Sequence, residues 1–269
     1  MLFYILLIFI SIFVSFIIKK LIYSMLMNSS AIRKNYLGQD TPVGMGMIFP
    51  ISLICSLTIL YLFYPLTKTM YTFLFGIVFV SFLGLIDDLL GNRNTTGLKG
   101  HIGKLLHFEL TTGGLKAIMG GVLSILVSIP FQDTFFSIIF NGIIIALFTN
   151  LINLLDLRPG RAIKFYFIYG IILLFLFYKQ RDFYLLVVIT ITTILYFPMD
   201  VKAKAMMGDT GSNTLGFTLG FFTSIYFNAP YKIIIFILLI VVHLYAEKSS
   251  ITKLIENNRI LNFIDQLGR

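Results

Sequence analysis

Apolar segments of roughly 15–20 residues recur along the whole chain, close to the length a membrane-crossing helix needs. Nine can be marked, covering approximately Met1–Ile18, Met45–Phe63, Met70–Ile86, Leu110–Phe131, Phe135–Leu155, Phe165–Tyr178, Phe183–Phe197, Leu215–Phe227 and Tyr231–Tyr245. The composition agrees. Of 269 residues, 58% are hydrophobic and only 12% are charged, whereas an ordinary soluble domain is about 25% charged. That balance argues against a soluble globular domain, and it is the opposite of what disorder requires. The sequence therefore predicts an all-α polytopic membrane protein, a bundle of about nine transmembrane helices with short connections.

Charge placement predicts orientation. No basic residue precedes the first segment and Lys19-Lys20 follow it, the reverse of a cleaved signal peptide. With the N-terminus outside and the C-terminus in the cytoplasm, sixteen Lys and Arg fall in cytoplasmic segments and four outside. Lys116 lies within the fourth segment and belongs to neither set. This asymmetry is the expected positive-inside pattern, and it accounts for most of the net charge of +9. No basic run is long enough to track a nucleic-acid backbone. The lone Cys55 sits in an apolar run and reads as a packing residue. The scattered His101, His107 and His243 do not form a metal cage. Gly113-Gly114 and Gly120-Gly121 in the fourth segment predict close helix packing.

Two regions follow from these patterns, a transmembrane domain over 1–246 and a cytoplasmic amphipathic tail over 247–269. In the tail, Ile251, Leu254, Ile255, Leu261, Ile264 and Leu267 recur near helical spacing with charges between them. That pattern predicts an amphipathic helix on the inner membrane surface.

The acidic residues are few, so their positions are informative. Asp87 and Asp88 end the third segment and Asp156 ends the fifth, while Asp200 and Asp209 lie between the seventh and eighth. All five fall on the cytoplasmic side of the predicted topology. A transporter tends to hold its polar site near the bilayer midplane. Carboxylates gathered at one interface suit chemistry between a cytosolic and a lipid-borne substrate.

Adjacent Asp87 and Asp88 call for a compensating cation or proton. Met207-Gly208-Asp209-Thr210-Gly211-Ser212-Asn213 lets backbone N–H groups approach phosphate while an Asp meets a hard cation, and it reads equally as a glycine turn capping a helix. Asn150, Asn153 and Asp156 stand at i, i+3 and i+6 on a helix end. They could meet a nucleotide or sugar, or bond between helices.

Together and in this order, these elements resemble the polyprenyl-phosphate N-acetylhexosamine-1-phosphate transferases, the superfamily of bacterial MraY, WecA and TagO (glycosyltransferase family 4). The likeness covers nearly the whole chain. It includes Arg33-Lys34-Asn35-Tyr36, Thr41-Pro42 and Gly46 in the first cytoplasmic loop. It implies transfer of a sugar-1-phosphate from a UDP-sugar to polyprenyl phosphate, with Mg²⁺ as cofactor and UMP released. By that likeness Asp87, Asp88 and Asp209 are catalytic, and Asp209 and Asp88 are the metal positions. Asn150, Asn153, Asp156 and Lys104 fall at donor or phosphate positions, and Lys99 is a further basic candidate. Relatives continue the Asn-x-x-Asn-x-x-Asp run with Gly-x-Asp-Gly. Here it continues Leu157-Arg158-Pro159-Gly160-Arg161, so Pro159 replaces an Asp, and Arg158 and Arg161 become candidates to bind the diphosphate. Asp200 stands where relatives often carry Asn, and Glu247–Arg269 lacks the histidines many relatives carry there. The partners implied are a UDP-sugar donor, a polyprenyl-phosphate acceptor and the membrane, with no nucleic acid; a homodimer is left open. The alternative function is a non-catalytic relative acting as a scaffold or lipid-sugar binder.

Overall fold

The computed structural model describes residues 2–62, 65, 67–91, 103–104 and 109–269. Arg93, Lys99, His101 and His107 lie outside the described residues. Each of the nine apolar segments falls on one helix. These helices are α1 (Leu2–Met27), α2 (Ile48–Tyr61), α3 (Lys68–Leu90), α4 (Thr112–Ser128), α5 (Phe135–Leu155), α6 (Arg161–Phe177), α7 (Tyr184–Val201), α8 (Gly208–Tyr226) and α9 (Ala229–Lys248). Among the described residues, six helical stretches are long and apolar enough to cross a membrane: Phe3–Met27, Lys68–Leu90, Thr112–Phe131, Phe135–Leu155, Arg181–Val201 and Ala229–Lys248. The chain is an all-α membrane protein by that measure. One β element amends the all-α expectation, a short hairpin of β1 (Ile32–Lys34) and β2 (Asp40–Pro42) pairing Arg33 with Thr41. Asn35 closes it, its Oδ1 accepting from the N–H groups of Leu37 (2.9 Å) and Gln39 (3.0 Å).

Several boundaries differ from the sequence reading. Helix α1 runs beyond Ile18 to Met27, because Lys19 reaches sideways and donates to the Leu195 carbonyl at 3.0 Å. Helix α7 extends to Val201, so Asp200 sits in its last turn rather than in a loop. Helix α8 starts at Gly208 rather than Leu215, so the glycine-flanked Asp209 lies in its first turn.

Helix α8 is the centre of the bundle. Every residue from Thr210 to Ser224 is buried, packed mainly against α5 and α3. Its hydroxyls would be costly there if unpaired. Thr214, Thr218 and Thr223 instead donate to the carbonyls one turn back, at 2.7, 2.8 and 2.7 Å. Close approach depends on glycine. A Cβ on Gly84 of α3 would lie 2.4 Å from the Asp209 carbonyl oxygen, and one on Gly216 would lie 2.5 Å from that of Phe148. The glycine pairs expected to pack in the fourth segment do not serve this purpose where they can be followed, since Gly120 and Gly121 face open space.

The single tail helix expected from sequence is broken in two. Helix α10 (Ile251–Asn257) ends at Asn258, whose side chain then caps α11 (Arg259–Gln266) by accepting from Ile260 and Leu261 N–H. The two ends of the bundle differ in character. At one end Phe3 packs edge-on against Tyr184, with ring centroids 5.6 Å apart, and Thr67 donates to Asp182 at 2.7 Å. The hairpin, the acidic helix ends and the tail gather at the other.

Candidate active site

The site forms where the C-terminal end of α3 meets the N-terminus of α8. The first N–H groups of a helix have no partner within it, and an anion there is favourable. Asp88 fills that role. Its Oδ1 accepts from Asp209 N–H at 2.8 Å, and its Oδ2 accepts from Thr210 N–H at 2.9 Å and Thr210 Oγ1 at 2.5 Å. Gly208 permits the contact, with φ of +71°, where a Cβ would lie 2.4 Å from Asp88 Oδ2. The hairpin side braces the same turn, with Met45 and Gly46 N–H donating to the carbonyls of Met206 and Met207 at 3.1 and 3.0 Å.

Held in this way, Asp209 points its carboxylate at Lys116 of α4, and the two form an ion pair. Lys116 Nζ also lies 3.8 Å from Asp87 Oδ2. The carboxyl groups of Asp87 and Asp209 are close enough to hydrogen-bond one another. Asn153 completes the group. With its amide turned so that both ends are satisfied, the nitrogen donates to Asp209 Oδ1 (2.7 Å) and Ser212 Oγ (3.0 Å), and the oxygen accepts from Lys116 (3.1 Å). Five side chains from α3, α4, α5 and α8 thus share one polar cluster at the bundle's end.

A cavity of about 360 Å³ opens beside the cluster, lined by Asp88, Asn153, Asp156, Arg158, Asp200 and Asp209 among others. Sites for small molecules begin at about this size. At its wall the Arg158 guanidinium stands 5.8 Å from the centroid of the Tyr36 ring, so the hairpin and the loop after α5 meet there. Loss of water around Asp156, with the charges of Asp200, Asp209 and Asp88, pushes its carboxyl well above the ordinary carboxylate range. Asp88, Asp156, Asp200 and Asp209 all face this one cavity, and a cation bound there would favour their charged forms.

The family model described as glycosyl transferase family 4 matches residues 70–228, more than half of the chain. The chain belongs to glycosyl transferase family 4. The matched stretch contains the whole cluster, from Asp87 on α3 through Lys116 and Asn153 to Asp209 on α8. No curated protein matches the chain. Members of glycosyl transferase family 4 generally depend on a divalent metal, and the donor set here suits one. The hard oxygens of Asp209 and Asp87 already flank a cation, the Lys116 ammonium. Among the described residues no three His, Cys, Asp or Glu side chains converge on one point. A divalent cation at this place would therefore be held by one or two carboxylates, with its remaining positions left to ligand or solvent.

The residues singled out from sequence divide into two groups. Asp87, Asp88, Asn153, Asp156 and Asp209 come together at the cluster and cavity, and Arg158 joins them at the wall. Asn150 is exposed and lies outside the cavity lining, because i and i+6 differ by about a third of a turn on a helix. Lys104 is exposed and pairs with Glu109 at 3.5 Å. Arg161 is buried against the tail, its Nε and Nη2 donating to the two oxygens of Asp265 at 2.9 and 3.0 Å. Asp200 is also occupied, accepting from Gly160 N–H at 2.7 Å and Tyr196 OH at 3.3 Å. The residue that sequence reasoning passed over is Lys116. Its signal was available, because a lysine inside an apolar segment is costly and marks function as readily as an aspartate does.

Proposed function

We propose that the protein transfers a sugar-1-phosphate, with N-acetylhexosamine as the expected sugar, from a UDP-sugar to polyprenyl phosphate for cell-envelope glycan synthesis. An oxygen of the lipid phosphate attacks the β-phosphorus of the donor. The bond from that phosphorus to the oxygen bridging the two phosphates breaks, UMP leaves with that oxygen, and polyprenyl-diphosphate-sugar forms. The observation that carries the reading is the Lys116–Asp87–Asp209–Asn153 cluster beside a charged cavity at one end of the bundle.

Phosphoryl transfer needs positioning and charge neutralisation more than covalent help. Lys116 supplies a fixed positive charge where negative charge builds on the phosphate oxygens. Asp209 and Asp87 are the residues to hold Mg²⁺, which when bound neutralises diphosphate charge. Asp88, which the family resemblance also puts in the metal set, fixes the turn that aims Asp209. Asn153 and Asp156 are set to orient the donor, and Arg158 to pair with its diphosphate. A phosphate monoester has a second pKa near 6, so the acceptor is mostly dianionic at neutral pH and no strong base is required.

The reading places the cluster at the cytoplasmic face of the cell membrane, where sixteen of the basic residues lie in the N-out topology. Residues 1–246 form the catalytic unit. The tail lies on the membrane surface, where Ile260, Phe263 and Leu267 are exposed. A screen for UMP release across UDP-sugars, using membranes supplied with polyprenyl phosphate, tests the assignment. Release that needs both substrates and Mg²⁺ is expected. Absence of release for every donor, from protein that remains folded, contradicts it. A second reading, a non-catalytic lipid-sugar binder, draws on Pro159 standing where relatives carry Asp. Cellular function that survives Asp209→Asn favours that reading instead.

A further inference from the structure

The tail does more than cover the bundle's end. Asp265 of α11 is 5% exposed, as is Arg161, and their two-pronged ion pair is shielded from water. Arg161 Nη1 also donates to Thr252 of α10 at 2.9 Å, and Lys164 donates to the Asp265 carbonyl at 2.6 Å. Arg269 then links tail and loop directly. Its Nε donates to the Pro159 carbonyl and its Nη2 to Asp265 Oδ1, both at 2.9 Å.

These contacts converge on the short loop between α5 and α6. On its other flank Gly160, at φ of +77°, donates its N–H to Asp200. The loop is thereby clamped between α7 and the tail, and Arg158 stands one residue before the clamped Pro159. Arg158 is the loop's cationic contribution to the cavity, held against Tyr36. An exposed loop carrying a long side chain would otherwise sample many arrangements and lose binding energy on being ordered.

We propose that the tail over 247–269 is a strap that positions Arg158 for the donor diphosphate, with Asp265 and Arg269 as its positioning residues. This rests on the donor cavity being the one assigned above. It implies that the tail, which lies outside the residues matched by the family model, contributes to donor affinity without touching the donor.

The test is titration calorimetry of UDP with Mg²⁺ on the full chain in detergent. Arg158→Ala, Asp265→Asn and Arg269→Ala should each weaken UDP by about tenfold. The double variant Arg158→Ala with Arg269→Ala should bind within about twofold of Arg158→Ala alone, since residues acting through one another are not additive. Asp265→Asn strands a buried guanidinium and could lower stability. Arg269→Ala avoids this, and its melting temperature should match that of the wild type. Wild-type affinity in both Asp265→Asn and Arg269→Ala overturns the strap, as do losses that multiply in the double variant. Wild-type protein that binds no UDP overturns the donor assignment itself, and the strap with it.

Discussion

Asp87 and Asp88 are adjacent in sequence and do different work. Asp88 accepts three hydrogen bonds from the start of α8, whereas Asp87 faces Lys116 and Asp209. Asp88→Ala leaves two helix N–H groups without their carboxylate, at about 1–3 kcal/mol for buried donors left unpaired. It should lower the melting temperature by several degrees along with activity. Asp87→Asn should leave melting nearly unchanged while UMP release falls. Thermal unfolding followed beside UMP release separates the two, and equal destabilisation by both variants contradicts the division. Lys116→Gln removes the fixed cation of the cluster and should cost roughly a hundredfold in turnover, the scale of losing one preorganised charge-stabilising group. Little change in turnover contradicts its assignment. The aspartates were legible in the sequence because charge is scarce and they stand at segment ends. Lys116 carried an equal signal, a charge inside an apolar segment, but a count of basic residues by side gives such a residue no weight.

At the scale of elements, each of the nine apolar segments read from hydropathy falls on one of the described helices α1 to α9, and the start of α8 was misplaced by seven residues. Gly, Thr, Ser and Asn lower the apolar signal there, and the i to i−4 hydroxyl bonds that make such a sequence buriable leave no mark on hydropathy. Arg161 was ambiguous for a different reason. Its partner Asp265 lies 104 residues away, beyond any local pattern. That pair sets a pH response. Burial tends to raise the Asp265 carboxyl, but hydrogen bonding and charge from Arg161, with the charges of Arg269 and Lys164, outweigh it and hold the group below the ordinary carboxylate range. A carboxylate depressed in the folded state stabilises docking above its unfolded value near 3.9, and that contribution is lost as pH falls through the lower folded value. Protease cleavage within the tail should therefore stay constant from about pH 5 to 8 and rise only below about pH 4. A rise near neutral pH contradicts the assignment to Asp265.

At the scale of the whole molecule, α1 runs from the end holding Tyr184 to the end holding the hairpin, so the N-terminus and the acidic cluster lie at opposite ends. The proposed topology, with the N-terminus outside, would put the cluster at the cytoplasmic face. Cysteines placed at Asp133 and Asn257 test this. A membrane-impermeant maleimide should label Asp133→Cys in intact cells and Asn257→Cys only after permeabilisation, and the reverse pattern contradicts the topology. The central claim is that the sugar moves together with its phosphate. A UDP-N-acetylhexosamine radiolabelled at the β-phosphorus, given to purified protein with polyprenyl phosphate and Mg²⁺, tests it most directly. The account predicts that the label passes into the lipid fraction as UMP appears, and that Asp209→Asn abolishes both. Label that stays in water as UDP while the sugar alone reaches the lipid, or transfer undiminished in Asp209→Asn, would contradict it.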